Sequence, residues 1–276
     1  MKIRAKKSLG QNFLVDIDAL IAISSATEIT EKNIVEVGPW YGALTDFLLQ
    51  ENPKKIDLVE LDSDMIAILR GKMITDWADF SDRITLHHAD VLKFSPNFEK
   101  YSLIANIPYY ITSPILFHFL YPQNFAVPEE MVILMQKEVG EKILATKGKK
   151  TQHSYFSLAM WLACENIEKI CLVPSESFDP APKVDSIVLK FFPKRNRDID
   201  ADLQKLEFWD KIFKHPRKTL AFNLKSAGIF DEKILENLKN LWYSEQVRAE
   251  AIRLEDWDQI LDFLKKLYNI PVLLKD

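Results

Sequence analysis

Residues 33–49 read Asn-Ile-Val-Glu-Val-Gly-Pro-Trp-Tyr-Gly-Ala-Leu-Thr-Asp-Phe-Leu-Leu. The first five, Asn33–Val37, are mostly apolar and have the length of a buried strand. Glycines follow at positions 38 and 42, and residues 43–49 then show the apolar spacing of a helix. A strand, a glycine turn and a helix in this order begin the βαβ unit in which many proteins bind nucleotides. We therefore expect an α/β sheet with a ligand site above the glycine turn.

The rest of the first two thirds of the chain alternates between strands and helices. Further strands are predicted at residues 55–61, 83–87, 101–105, 131–135, 167–173 and 184–192. Further helices are predicted at residues 17–26, 64–73, 115–120, 138–145 and 155–163. Asp16 and Ser63 are expected as N-caps, and Ser113–Pro114 as a helix start. This alternation predicts a doubly wound, mostly parallel sheet.

The last part of the chain has a helical pattern throughout. Helices are predicted at residues 203–213, 217–224, 232–241, 244–252 and 255–267. The charged, proline-containing stretch 192–200 reads as a linker, and residues 1–15 lack any periodicity. We therefore predict a basic N-terminal arm at 1–15, an α/β domain at 16–193 and a small all-helical domain at 201–276.

Composition restricts the class of protein. No apolar run approaches the roughly 18 residues of a membrane span, and no apolar segment of a secretory signal follows the basic N-terminus. Cys164 and Cys171 are the only cysteines, and neither they nor the histidines have metal-ligand spacing. We expect a cytoplasmic protein, a monomer, with no metal and no membrane partner.

Basic residues are clustered although the net charge is −4. The clusters lie at residues 2–7, 147–150, 190–197 and 211–218. One such run is usually a solvated face, but four in an acidic chain are better explained by a phosphate backbone. Candidate RNA contacts are Lys6, Lys7, Lys149, Lys150, Arg217 and Lys218.

The predicted strand 101–105 runs into Asn106-Ile107-Pro108-Tyr109. This tetrapeptide is open to two interpretations: an ordinary junction between strand and turn, or a site for transfer to an exocyclic amine of a nucleobase. In the second, the Asn106 side-chain oxygen and the Ile107 carbonyl hold the amine, and Tyr109 stacks on the base. The sulfonium of S-adenosylmethionine would supply an activated methyl group, so no general base is needed.

Two acids stand at the ends of neighbouring predicted strands. Glu60 follows the glycine turn at roughly the 20-residue distance at which an acid binds ribose hydroxyls in such folds. Asp90 stands beyond the strand at 83–87, where it could accept from the cofactor's adenine amino group or simply cap a turn. An NAD enzyme is disfavoured because the loop lacks the full three-glycine spacing.

An ordered set of motifs along nearly the whole chain resembles the ribosomal RNA adenine N6,N6-dimethyltransferase family, in its small-subunit branch. The similar segments are residues 6–14, 35–39, 60–62, 90, 106–109, 136–139, 173–178, 182–186, 215–220 and 248–250. Any one of them is weak, whereas the ordered set is highly specific.

The resemblance implies a seven-stranded Rossmann-like methyltransferase sheet that uses S-adenosylmethionine. The implied cofactor contacts are Asn12, Leu14, Gly38, Glu60, Asp90 and Asn106. The implied catalytic residues are Asn106, Ile107, Pro108, Tyr109 and Phe178. Phe178 would stack on the target base opposite Tyr109, whereas without the family motif a core side chain after a proline turn would be the favoured interpretation.

The glycine loop departs from the family pattern at Trp40, where the family usually has glycine. A tryptophan adds bulk and restricts φ, so we expect weaker cofactor binding, a displaced loop or an indole that covers the pocket or packs outward. Tyr110 is a milder departure, and residues 151–165 differ more than their surroundings.

Three functions are compared on this basis. The first is dimethylation at N6 of two adjacent adenosines in the 3′-terminal hairpin of 16S rRNA, on a precursor small ribosomal subunit. The second is methylation of 23S rRNA, which the motif at residues 215–220 disfavours. The third is a non-catalytic assembly or transcription factor whose cofactor site Trp40 blocks.

Overall fold

The computed structural model describes Lys6, residues 10–145 and residues 153–268. Its strands are β1 Phe13–Leu14, β2 Asn33–Val37, β3 Lys55–Glu60, β4 Ile84–His88, β5 Ser102–Asn106, β6 Glu130–Gln136, β7 Cys164–Val173, β8 Phe178–Asp179 and β9 Ser186–Pro193. Its helices are α1 Ile17–Ser24, α2 Ala43–Gln50, α3 Ser63–Ile74, α4 Thr112–Leu120, α5 Lys137–Ala145, α6 Tyr155–Ala163, α7 Ile199–Ile212, α8 Leu220–Ser226, α9 Lys233–Asn240 and α10 Leu254–Tyr268.

Within the described residues, seven strands form one sheet in the order β4-β3-β2-β5-β6-β9-β7. The strands from β4 to β6 are parallel to their neighbours. Strand β9 is antiparallel to both β6 and β7. The predicted seven-stranded, mostly parallel α/β sheet is therefore confirmed.

The strand order reverses between β2 and β5, and this reversal determines where a ligand can bind. The chain runs outward from β2 through β3 to β4 and then returns to β5 on the other side of β2. Val37 at the end of β2 is in register with Ala105 in β5, so the two strands end side by side. The crossover connections diverge at such a switch point and leave a crevice beyond the carboxyl ends of the strands.

The central strands are apolar on both faces because the sheet is covered on both sides. Every residue of β5 is buried, and so are four of the five residues of β2. Buried parallel strands of this kind carry continuous runs of valine, isoleucine and leucine rather than alternating polar residues. The uniform burial explains why the sequence predicted β2 and β5 to within one residue.

The end of the predicted arm at residues 1–15 forms a strand that the sequence analysis did not predict. Phe13 and Leu14 form β1, which pairs in antiparallel fashion with β8. Both β1 side chains are buried, and the Val15 N–H donates to the Ser177 carbonyl at 2.9 Å. Residues 1–5 and 7–9 of the predicted arm lie outside the described residues.

The chain divides into two compact units. One consists of residues 1–141 and 164–195 and contains the sheet; the other consists of residues 142–163 and 196–276 and contains the later helices. The sequence analysis placed residues 142–163 in the α/β domain, and the structure corrects that placement. Helix α6 packs against α7, and the Trp161 indole N–H donates to the Ile143 carbonyl at 2.7 Å, which holds this segment within the helical unit.

Two tryptophans form the centre of the helical unit. Trp209 on α7 and Trp257 on α10 are both buried, with their ring centroids 6.1 Å apart in an edge-to-face arrangement. Phe208 and Phe213 also pack their rings against Trp257. Aromatic pairs in this geometry stabilise a core beyond the area they bury. Large aromatic rings thus give the small unit a core of its own.

Three local predictions were wrong. Asp62, rather than Ser63, caps α3, because its backbone is extended and its carboxylate accepts from the Asp64 N–H. Helix α4 begins at Thr112, with Ser113–Pro114 inside its first turn. The predicted helix at 244–252 is only a short 3-10 turn, Ala249–Ala251. There the Val247 carbonyl accepts from the Leu220 N–H at 2.7 Å instead of from a helical neighbour.

The N-cap predicted at Asp16 is confirmed. Its carboxylate accepts from the Asp18 and Ala19 N–H groups at the start of α1. The other carboxylate oxygen accepts from the Ser177 hydroxyl at 2.6 Å. None of the helices in the described part of the chain combines the length and the apolar character needed to cross a lipid bilayer.

Two helical glycines offer a matched test of packing. A Cβ added at Gly140 on α5 would lie 2.4 Å from Ile187 Cγ2 on β9, whereas one added at Gly71 on α3 would meet nothing within 4 Å. We expect Gly140→Ala to destabilise the protein by about 1–3 kcal/mol through overpacking, and Gly71→Ala to stabilise it by about 0.5–1 kcal/mol. Urea midpoints measured by circular dichroism test this. Equal midpoints for the two variants would contradict the described packing of α5 on β9.

Candidate active site

A cavity at the switch point has a volume of about 240 Å³. We call it the larger cavity; it is lined by Val37, Gly38, Trp40, Val59, Glu60, Leu61, Ala89, Asp90, Val91, Leu92, Ile107, Pro108, Tyr110 and Ile111. It lies beyond the carboxyl ends of β2, β3 and β4, as the topology requires. The cavity therefore brings together three of the predicted cofactor residues: Gly38, Glu60 and Asp90.

Glu60 is held rigidly at the end of β3. One carboxylate oxygen accepts from the Leu61 and Asp62 N–H groups, each at 2.8 Å, and the other accepts from the Trp40 N–H at 3.2 Å. Burial raises the pKa of Glu60, and these three backbone donors partly offset that rise. The side chain thus fixes the glycine loop to β3 as well as lining the cavity.

Asp90 lines the same cavity while capping a turn. Its carboxylate accepts from the Leu92 N–H at 3.0 Å, at the start of a short 3-10 turn. Asp90 is therefore both a turn cap and a cavity residue, the two roles that the sequence left open. The cap fixes the position of the carboxylate beside the apolar Val91 and Leu92.

A second, smaller cavity adjoins the end of β5. It has a volume of about 10 Å³ and is lined by Gly10, Asn12, Trp40, Asn106, Ile107, Pro108, Tyr109, Leu134 and Phe178. All five predicted catalytic residues line this smaller cavity, together with the predicted cofactor residue Asn12. Its volume is about that of one water molecule.

Asn106 is the last residue of β5 and is only 6% exposed. Among the described residues, nothing hydrogen-bonds to its side-chain amide, so the amide is available to a ligand. Pro108 follows two residues later with a φ of −57° and cannot extend the sheet. The strand therefore ends with a side-chain amide and a loop of polar backbone at the cavity.

Tyr109 and Phe178 are the two aromatic rings of the smaller cavity. The Tyr109 hydroxyl lies 2.7 Å from the Ser186 hydroxyl, and burial raises the pKa of the tyrosine. Phe178 is buried in β8, whose partner strand is β1. The Tyr109 ring is therefore anchored to the main sheet through Ser186, and the Phe178 ring is anchored through the pairing of β8 with β1.

Trp40 lies between the two cavities and lines both. Its φ of 56° is in the left-handed region, and its indole N–H donates to the Asn106 carbonyl at 2.7 Å. The indole is 6% exposed and packs edge-to-face on Phe13, beside Met65. Of the outcomes expected from the sequence, the structure shows an indole that covers the pocket.

The loop requires a glycine at position 38. Its φ is +70°, and an added Cβ would lie 2.9 Å from the Asn106 carbonyl oxygen. Any side chain there would push β5 away from β2 and open the switch point. The glycine is thus required both by its backbone conformation and by the close approach of the neighbouring strand.

Several residues that were predicted to contact the cofactor or RNA do not line either cavity. Leu14 is buried in the core and lines neither cavity. Lys6 is engaged within the protein, since its ammonium contacts Asp62 at 2.5 Å and Asp64 at 2.7 Å. Lys218 lies in the helical unit with its ammonium 5.5 Å from the ring of Phe222, and the neighbouring Arg217 is exposed. Lys7, Lys149 and Lys150 lie outside the described residues.

Sequence reasoning missed the apolar rim of the larger cavity. Leu61, Leu92 and Tyr110 line it and yet are 52%, 38% and 63% exposed, respectively. Large apolar side chains left exposed around a pocket indicate a ligand surface. The available signal was their position in the sequence, within two residues of the predicted site residues Glu60, Asp90 and Tyr109.

Glu36 links the two elements that flank the glycine loop, β2 and α2. It is fully buried on β2 and accepts from the Thr45 hydroxyl on α2 at 2.7 Å, while its other oxygen has no hydrogen-bond partner among the described residues. Burial raises the pKa of Glu36 to about 8. The side chain therefore stays protonated near neutral pH and joins β2 to α2 without a buried charge.

The fold is shared with solved methyltransferases. A dimethyladenosine transferase from Plasmodium falciparum superposes with a TM-score of 0.75 at 24% identity, covering 92% of this chain and 98% of that one. The 23S rRNA methyltransferase ErmE superposes with a TM-score of 0.72 at 22% identity, covering 92% and 100%. The chain thus has the Rossmann-like fold of these two structures.

The chain belongs to the ribosomal RNA adenine dimethylase family, which it matches over residues 2–266. A curated relative, the ribosomal RNA small subunit methyltransferase A of Mycoplasmopsis pulmonis (strain UAB CTIP), is 39% identical over 259 residues. That match covers 92% of this chain and 96% of the relative. The family predicted from the ordered motifs is confirmed.

The buried carboxyl of Glu36 predicts a pH dependence of stability. Because its folded-state pKa of about 8 lies above the ordinary 4.5, its stabilising effect is full below pH 4.5, falls between pH 4.5 and 8 and is lost above pH 8. We expect Glu36→Gln, which cannot ionise, to be more stable than the wild type at pH 8.5 by a few kcal/mol, to order of magnitude. The difference in urea midpoint should shrink toward pH 5.

The matched control for this prediction is Glu51→Gln, which removes an exposed carboxylate just after α2. We expect its urea midpoint to follow the wild type across the pH range. A Glu36→Gln profile parallel to the wild-type profile would contradict a neutral Glu36 in the folded protein.

Proposed function

We propose that this protein transfers methyl groups from S-adenosylmethionine to N6 of two adjacent adenosines in the 3′-terminal hairpin of 16S rRNA. It acts on a precursor small ribosomal subunit in the cytoplasm, and it acts as a monomer. The observation that carries the proposal is the smaller cavity, where an unpaired buried amide meets two aromatic rings beside the cofactor-sized larger cavity.

The residues of the larger cavity fit the adenosine half of S-adenosylmethionine. Glu60 offers a buried carboxylate for ribose hydroxyls, and the half-buried Asp90 offers a carboxylate for an adenine amino group. Val59, Val91 and Leu92 provide apolar walls for the base. When bound, this cofactor supplies an activated methyl group on a sulfonium. Leu14 takes no part in the proposed site, because its side chain lies in the core.

The tetrapeptide would position the acceptor nitrogen. The Asn106 side-chain oxygen and the Ile107 carbonyl accept its two N–H groups and so orient its lone pair toward the larger cavity. Pro108 keeps the backbone out of the sheet, so that the Ile107 carbonyl is not used in a ladder. The gain comes from orientation, because a conjugated amine is a poor nucleophile unless it is held in an attacking geometry.

The aromatic rings would hold the target base outside the RNA helix. Removing a base from its stack costs a few kcal/mol, and stacking between Tyr109 and Phe178 offsets that cost. Arg217 and Lys218 of the helical unit bind RNA phosphates in this proposal, together with Lys7, Lys149 and Lys150. Lys6 contributes less, because its charge is paired with Asp62 and Asp64.

The small-subunit substrate is proposed over 23S rRNA because the curated relatives bear the name small subunit methyltransferase A. Methylation of purified precursor small subunits, compared with protein-free 23S RNA, separates the two. Incorporation into 23S RNA alone would overturn the proposed substrate and leave the methyltransferase class intact.

The amide of Asn106 is the first residue to test. We expect Asn106→Ala to lower the rate of methylation of precursor small subunits by at least about 100-fold, because the acceptor amine loses one of its two positioning contacts. Mass spectrometry of small-subunit RNA from cells carrying only this variant should show the two adenosines unmodified. Asn166→Ala, on the exposed face of β7, is the matched control and should methylate normally. Full dimethylation by Asn106→Ala would contradict the proposed role.

Two substitutions at Tyr109 distinguish the contribution of ring stacking to methylation from that of the hydroxyl hydrogen bond. Tyr109→Phe keeps the ring and loses only the contact with the Ser186 hydroxyl, so we expect methylation within about fivefold of the wild type. Tyr109→Ala removes the stacking surface and should lower kcat/KM for the RNA by roughly 10- to 100-fold. Melting temperatures show whether either variant is unfolded. A larger loss in Tyr109→Phe than in Tyr109→Ala would argue for the hydroxyl rather than the ring.

A further inference from the structure

Trp40 separates two cavities that methyl transfer has to connect. The larger cavity holds the proposed cofactor residues and the smaller one holds the proposed catalytic residues, and Trp40 lines both. With a volume of about 10 Å³, the smaller cavity has no room for a purine. The conformation described here is therefore closed to the target base, and some side chain has to move before reaction.

Ile107 and Pro108 also line both cavities, but they belong to the backbone that continues directly from β5. Phe178 belongs to β8, which pairs with β1, and Asn106 and Leu134 are paired residues of neighbouring strands in the main sheet. Movement of these three requires paired strands to deform, which close-packed interiors resist. Tyr109 is joined to Ser186 on β9 and lines only the smaller cavity.

Trp40 belongs to the glycine loop rather than to a strand, and its backbone is strained. Its φ of 56° costs a residue with a Cβ about 1–2 kcal/mol relative to the right-handed region. One side-chain hydrogen bond, from its indole N–H to the Asn106 carbonyl at 2.7 Å, and edge contacts with Phe13 hold the ring. A change of side-chain rotamer at Trp40 can therefore open the shared wall of the two cavities while every strand stays paired.

We propose that the Trp40 indole is a gate between the two cavities. In the closed state it fills the passage and donates a hydrogen bond to the Asn106 carbonyl. Binding of the cofactor's methionyl end displaces the indole, breaks this hydrogen bond and joins the cavities. The proposal rests on S-adenosylmethionine being the cofactor, and it gives a role to the residue at which the glycine loop departs from the family pattern.

Binding titrations with S-adenosylhomocysteine test the gate. Calorimetry compares the wild type with Trp40→Gly, which removes the indole, and Trp40→Phe, which removes the N–H and part of the bulk. A gate predicts at least tenfold tighter binding by Trp40→Gly and about two- to tenfold tighter binding by Trp40→Phe, because each destabilises the closed state. Trp242→Phe, at a side chain 95% exposed in the helical unit, is the control and should match the wild type.

Several outcomes overturn the gate. Weaker binding by Trp40→Gly would make the indole a wall of the cofactor site, and equal, measurable affinities in all proteins would make it a bystander. No binding by any protein would overturn the cofactor assignment and the gate with it, so the two failures are distinguishable. Melting temperatures of the variants verify folding, and Trp40→Phe retains an aromatic ring against Phe13 should Trp40→Gly be unstable.

A second experiment detects movement of the indole directly and does not require methyl transfer. In protein labelled with 5-fluorotryptophan, the resonance absent from the Trp40→Phe spectrum belongs to Trp40. We expect this resonance to shift on addition of S-adenosylhomocysteine, with the Trp242 resonance unchanged. A Trp40 resonance that stays in place at saturating ligand would contradict the movement.

Discussion

The close approach of two parallel strands at Gly38 is the constraint on which the site depends. The glycine lies against the Asn106 carbonyl so closely that an added Cβ would be 2.9 Å away. This contact places the ends of β2 and β5 side by side at the reversal of strand order. The cofactor loop and the tetrapeptide thereby share one edge of the sheet, although they are far apart in sequence. Chemistry at the switch point follows from that proximity rather than from any strongly perturbed titratable group.

Buried side chains around the loop support this arrangement. Glu36 joins β2 to α2 through Thr45, and Glu60 ties the loop to β3 through three backbone N–H groups. Burial raises the pKa of both acids, that of Glu36 to about 8. Glu36 therefore makes its contact near neutral pH without a buried charge, which would otherwise be costly in this part of the sheet. The loop is thus fixed to α2 through β2 and to β3 through Glu60.

Much of this structure could be predicted from the sequence, for identifiable reasons. Strands β2 and β5 were predicted almost to the residue because continuous apolar runs between turn residues have few alternatives. Strands β1 and β8 were missed because two-residue strands have no period, and the α3 cap was misplaced because Asp62 and Ser63 are both good caps. Residues 142–163 were placed in the wrong unit because periodicity shows that α6 is a helix but not which core it packs against. The position of the Trp40 ring could not be predicted, because it depends on a long-range hydrogen bond to Asn106 that local sequence patterns do not reveal.

The pairing of β1 with β8 links two segments that are far apart in the sequence. Leu14 is in register with Phe178, so the backbone just before α1 is hydrogen-bonded to the backbone that carries an aromatic wall of the smaller cavity. Among the described residues, each of these two strands has only the other as its partner. The position of the Phe178 ring therefore depends on a distant segment of the chain as well as on its own.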